Sequence, residues 1–169
     1  MARSSYVIDD EPVPDAGLTR YIVNPLYPLL AVMLAGVWLA WPWMLFNARA
    51  LGSPHWRRQA RVLAVGLAGT VALALVIVAL VNADIITTRT HARLALLAVT
   101  TWKMAVSYKV HSLQLGTFAL YSHYHGDPAA QFGVRLLMLG MFLRGIIVGL
   151  IPSILWIIIV SGAPWTGEL

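Results

Sequence analysis

The stretch Leu94–Gly126 reads LALLAVTTWKMAVSYKVHSLQLGTFALYSHYHG, and the rest of the chain is best understood as shelter for it. Its first half is apolar enough for a bilayer, yet it carries Lys103, Lys109, His111 and Gln114. On a helix of ~3.6 residues per turn, Thr100, Lys103, Ser107, His111, Gln114 and Tyr121 share one stripe. Lipid does not tolerate such a stripe, so it is expected to face protein, water or a ligand. Lys109 lies almost opposite. In mid-membrane it would cost ~2.5–3.5 kcal/mol, so the helix is expected to leave the core near Ser112, with Lys109 reaching the headgroups. The aromatic run Phe118, Tyr121 and Tyr124 then continues or bends along the interface as far as the Gly126-Asp127-Pro128 turn.

Composition supports a membrane class. Of 169 residues, 59% are hydrophobic and 11% charged, where a soluble domain carries ~25% charged residues. The net charge of +5 is spread around the apolar segments, which suits anionic lipid and not nucleic acid. The chain has no cysteine. That excludes disulfides, thiolate metal sites, iron–sulfur clusters and cysteine nucleophiles. Residues 1–24 contain Asp9, Asp10, Glu11 and Asp15 and read as a mobile acidic tail, not a signal peptide.

The predicted fold is an all-α membrane protein with four transmembrane helices, bundle-like, and an interfacial segment between helices 3 and 4. The spans fall at about 25–46, 62–81, 94–112 and 136–160, with a short tail at 161–169. Trp38, Trp41 and Trp43 mark the exit of the first. The loop Asn47–Arg61, NARALGSPHWRRQAR, carries Arg49, Arg57, Arg58 and Arg61 without an acid. It is expected in the cytoplasm, with both termini on the opposite side. Arg20, Arg89 and Arg93 argue against that arrangement. Ala60, Ala64, Ala68 and Ala72, with Gly69 beside them, and the Gly145–Gly149 GxxxG are expected to let neighbouring helices approach closely.

Two intramembrane cations stand out, Lys103 and Arg144. All seven acids lie outside the spans. An oxygen partner must then come from backbone carbonyls, Asp84 or Asp127 at the span ends, a lipid phosphate, or another subunit. The absence of membrane acids argues against a proton pump. His123 and His125 on a helix point ~200° apart, and only His111 is close to a span, so no metal or haem site is assigned. There is no GxSxG, HExxH, P-loop or GxGxxG. The Lys103, Ser107, His111 row is what any polar helix face shows, so no catalytic residue and no cofactor is expected.

The run Pro42–Gly52, PWMLFNARALG, resembles the junction after the first helix in small multi-span bacterial membrane proteins of unknown function, with Asn-x-Arg-x-Leu-Gly at Asn47, Arg49, Leu51 and Gly52. Lys109–Gly126 is similar to their third segment. The resemblance implies a four-helix bacterial inner-membrane protein, and implies no activity, cofactor or substrate. At the junction, Asn47 is expected to cap the carbonyls of the ending helix and Gly52 to make a left-handed turn. Two functions follow from the residues. The first is a non-enzymatic subunit or accessory protein that packs with other membrane proteins or with itself, its stripe against the partner. The alternative is a small carrier, or a lipid- or anion-binding protein, using Lys103, Ser107, His111, Gln114 and Arg144. A haem protein or membrane-embedded enzyme ranks below both. Membrane lipids are the expected surroundings, and no nucleic acid is expected.

Overall fold

A computed structural model describes residues 17–126 and 130–161, and among these the chain is helical with no strand. A short 3-10 turn at Thr19–Tyr21 precedes α1 (Leu26–Leu34), α2 (Val37–Ala50), α3 (Trp56–Asn82), α4 (Arg89–His125), α5 (Ala130–Gly149) and α6 (Ile154–Val160).

The segment read as a first span is two helices folded into a hairpin. Gly36 lies between them with φ 112°, a backbone state that a side chain disfavours, so the chain turns there. α2 then runs back beside α1. The Asn47 side chain accepts from Val23 N and donates to Val23 O, each at 3.0 Å. Tyr21 and Phe46 meet edge to face, and Ile22 packs with Ala50, Leu51 and Phe118. Both ends of the 25–46 segment therefore lie together, with the hairpin tip ~16 Å along α2 from Asn47. Ile22 and Val23, assigned to a mobile tail by sequence, are core residues. The described N-terminal residues also sit at the same end as the arginine loop, where the sequence placed them opposite. Residues 1–16 lie outside the described residues.

α3 leaves that end and α4 returns antiparallel to it. Their contact is made by glycine. A Cβ on Gly66 would stand 2.5 Å from Val106 Cγ1, and one on Gly69 would stand 2.6 Å from Trp102 Cζ2. The buried row is Gln59, Leu63, Gly66, Thr70, Ala74 and Ile77. Of the predicted alanine row, Ala64, Ala68 and Ala72 are exposed and Ala60 half-buried. Small size alone did not mark the packed face; that face follows the polar and glycine positions opposite α4. Past Ser112 α4 takes the first of the two expected courses and continues as a helix. It continues unbroken to His125, ~55 Å in all, because Gln114 and Phe118 remain buried against other elements. The expected interfacial segment is thus the last turns of α4, ended by Gly126 at φ 78°. Asp127 and Pro128 fall outside the described residues.

The predicted fourth span is also broken. α5 starts beside the hairpin's base, where Phe132 lies 5.4 Å from Tyr21 and Gly133 packs against Tyr27. It passes the hairpin tip with Gly140 against Leu39 and Ala35. The helix ends at Gly149, and Pro152 prevents its direct continuation. α6 then turns back: Trp156 Nε1 donates to Ile147 O at 2.9 Å, a reach that a straight continuation of ~13 Å would not allow. Gly145 and Gly149 of the GxxxG are exposed, and an added Cβ meets nothing within 4 Å at either position.

Among the described residues, two helices are long and apolar enough to cross a membrane, α3 and the Phe132–Gly149 part of α5. α4 has the length but carries the polar stripe. The outer surface is apolar, with Val65, Leu75, Val76, Met138, Phe142 and Ile146 all exposed.

Candidate functional site

The stripe of α4 faces inward, where Lys103, Ser107, His111 and Gln114 are all buried. Near the arginine end, Gln114 Nε2 donates to Met44 O at 2.8 Å and to Gln59 Oε1 at 2.9 Å. Its Oε1 accepts from Asn47 Nδ2 at 3.3 Å, and Gln59 Nε2 donates to Ser53 Oγ at 3.2 Å. Asn47, Ser53, Gln59 and Gln114 thus form one buried chain of amides and a hydroxyl. It joins the base of the hairpin to α3 and α4. Such a chain fixes a register only because its members satisfy each other. Asn47 and Gln59 were not singled out for this role by sequence. Asn47 does not cap its own helix as expected; it clamps Val23. Gly52 does take the left-handed turn, at φ 64°.

One level deeper, Trp41 Nε1 donates to Ser107 Oγ at 2.9 Å, and Ser107 Oγ donates to Lys103 O at 2.8 Å. The hairpin's second helix is pinned to α4 through this pair. His111 lies between the two levels. Its Nδ1 and the Nε1 of Trp43 are buried with no hydrogen-bond partner among the described residues.

Deeper still are the two cations. Lys103 is 2% exposed, and its Nζ donates to Ile158 O at 2.5 Å and Ser161 O at 2.6 Å. These carbonyls are at the C-terminal end of α6. Arg144 Nη1 donates to Leu34 O at 3.3 Å and Met33 O at 3.5 Å, the carbonyls at the C-terminus of α1. A helix C-terminus leaves carbonyls unpaired and carries about half a negative charge. Each cation therefore closes a helix that stops inside the bundle. Trp38 Nε1 covers a third such carbonyl, Ala35 O, at 2.8 Å. α6 also touches α2. Lys109 is exposed on the far side of α4.

The histidines His123 and His125 are exposed on the last turn of α4, His125 stacked on Tyr121 at 4.7 Å. Among the described residues, no three His, Asp or Glu side chains come together as a metal site. No family model, no curated protein and no solved structure matches this chain.

Proposed function

We propose that the chain is a non-enzymatic integral membrane protein of carrier type, with three crossings and two re-entrant segments. α3, α4 and α5 cross. The α1–α2 hairpin enters from the arginine end and leaves by it, while α6 enters from the other end and stops at Lys103. Folding the hairpin back puts Arg20 with Arg49, Arg57, Arg58, Arg61 and Arg135 at one end, against Arg89 and Arg93 at the other. Positive charge near short loops favours the cytoplasm, so loop 47–61 and the first described residues are assigned there, in the bacterial inner membrane that the resemblance implies.

The observation that supports the function is that two helices, α1 and α6, end inside the bundle with their last carbonyls on Arg144 and Lys103. Helices interrupted inside a membrane expose backbone groups and dipole ends where a solute can be held. The test is flux in proteoliposomes of the full chain, using dye-reported chloride, potassium and a neutral polyol. Selective entry of one solute supports the carrier reading, and vesicles as tight as protein-free controls reject it. A second reading, an accessory subunit, is favoured by the outward Ala64, Ala68 and Ala72 face and the open Gly145 and Gly149. Small residues of that kind admit a neighbouring helix. A mass above one chain after mild extraction supports it, and a monomer counts against it.

A further inference from the structure

We infer that the Arg49–Trp56–Arg57 cluster at the arginine end is a binding site for the headgroup of an anionic phospholipid. The site is independent of any carried solute and needs only that the apolar outer surface lies in a bilayer. The turn after α2 builds it. Gly52 at φ 64° reverses the chain, so Trp56, the first residue of α3, returns beside Arg49 in the last turn of α2. Arg49 Cζ stands 5.3 Å from the centre of the Trp56 ring, and Arg57 Cζ stands 5.7 Å from the centre of the same ring. All three side chains are exposed. The row continues across α2. Phe46, one turn before Arg49, meets Tyr21 at 6.2 Å, and Arg20 Cζ lies 4.6 Å over the Tyr21 ring.

A guanidinium on an aromatic face is held in place while the N–H groups along its edge stay free. Among the described residues, Arg20, Arg49 and Arg57 donate no hydrogen bond and meet no carboxylate. The one described acid, Asp84, follows α3 at the opposite end. Two cations gathered around one ring repel each other, and an anion relieves that. Phosphate suits the guanidinium fork, which pairs with two oxygens at once. The depth selects the phosphate of a lipid. Trp56 lies ~9 Å along the axis before Val62, where the uncharged run of α3 begins. Tryptophan and tyrosine favour the headgroup level. Val65, further into α3, is 62% exposed and offers apolar surface to the acyl chains below a bound headgroup. A free phosphate ion gains nothing from that surface.

The experiment is native mass spectrometry of the full chain in neutral detergent, titrated with phosphatidylglycerol and, for comparison, phosphatidylcholine. Saturable retention of phosphatidylglycerol over phosphatidylcholine is expected, and inorganic phosphate at equal concentration should not displace it. Arg49→Gln and Arg57→Gln should each weaken retention about fivefold, and together about thirtyfold, from the worth of one arginine beside anionic lipid. Trp56→Leu leaves every charge in place and should also weaken it, while Trp56→Phe should largely keep it. Arg58→Gln, exposed at the same end and stacked on no ring among the described residues, should leave retention nearly unchanged. So should Arg93→Gln at the other end. Circular dichroism and gel filtration check that each variant folds. Equal retention of the two lipids, displacement by inorganic phosphate, or no loss in Trp56→Leu overturns the site. The same loss in Arg58→Gln as in Arg57→Gln also overturns it, since only diffuse surface charge would then be at work. So does retention that appears only when Asp9→Asn, Asp10→Asn, Glu11→Gln and Asp15→Asn are combined, because the chain's own carboxylates would then hold the guanidinium groups.

Discussion

Replacing Asn47 by leucine tests the hairpin at its closing point. The side chain is fully buried, and it alone is seen to satisfy both backbone groups of Val23, each at 3.0 Å. It also serves Gln114 Oε1 at 3.3 Å. Leucine has similar volume and no polar atom, so packing is largely kept while three groups lose a partner. A buried orphan group costs ~1–3 kcal/mol in soluble proteins, and hydrogen bonds inside membranes average nearer ~0.6 kcal/mol. The expected loss is ~2–4 kcal/mol. At ~2–4 °C per kcal/mol for a chain of this size, the midpoint should fall by ~4–16 °C. Reversible unfolding of the full chain in mixed micelles, followed by tryptophan fluorescence, measures it. The double variant with Gln114→Leu should lose less than the sum of the two singles, because they share a bond. A variant within ~0.5 kcal/mol of the parent, the range of an ordinary surface change, would refute the clamp.

Gly69→Ala should destabilise by ~1–3 kcal/mol in the same assay, because Trp102 cannot move aside: its Nε1 is held by Gly66 O at 3.0 Å. Ala68→Leu, on the exposed face of α3, should leave the monomer's stability within ~0.5 kcal/mol. Trp41→Phe should cost ~0.5–1.5 kcal/mol through loss of the 2.9 Å bond to Ser107. Lys103→Met should free the Ile158 and Ser161 carbonyls, and hydrogen exchange should quicken about tenfold or more in α6 for each ~1.4 kcal/mol lost, with α3 unchanged.

What the sequence made legible was local chemistry. The inward stripe followed from a spacing of three and four on an apolar helix, and the turn at Gly52 from its residue type. The failures share a cause. A single glycine within an apolar run does not announce whether the chain kinks, crosses or returns; Gly36 returns because Asn47 finds Val23, a contact 24 residues apart. The same is true of α6, whose direction depends on Trp156 reaching Ile147 and on Lys103 reaching Ser161 O. The alanine row misled because exposure to lipid and exposure to a neighbour select the same small apolar residues. Gly66 and Gly69 are the close approach on α3, but glycine type alone did not mark it, since Gly145 and Gly149 on α5 meet nothing within 4 Å. Lys103 and Arg144 were flagged by cost alone, and their partners, being backbone, have no signature in sequence.

The most direct test of the architecture is side-specific labelling, for which the chain is suited by having no cysteine. Single cysteines at Arg20, His55 and Ile85, all exposed, are placed in the otherwise native chain and treated with an impermeant maleimide. A re-entrant hairpin puts positions 20 and 55 on one side and 85 on the other. In intact cells only Ile85→Cys should then label, with Arg20→Cys and His55→Cys reacting after permeabilisation. Labelling of 20 together with 85, and 55 alone on the opposite side, would mean that residues 25–46 cross the membrane and would contradict the account.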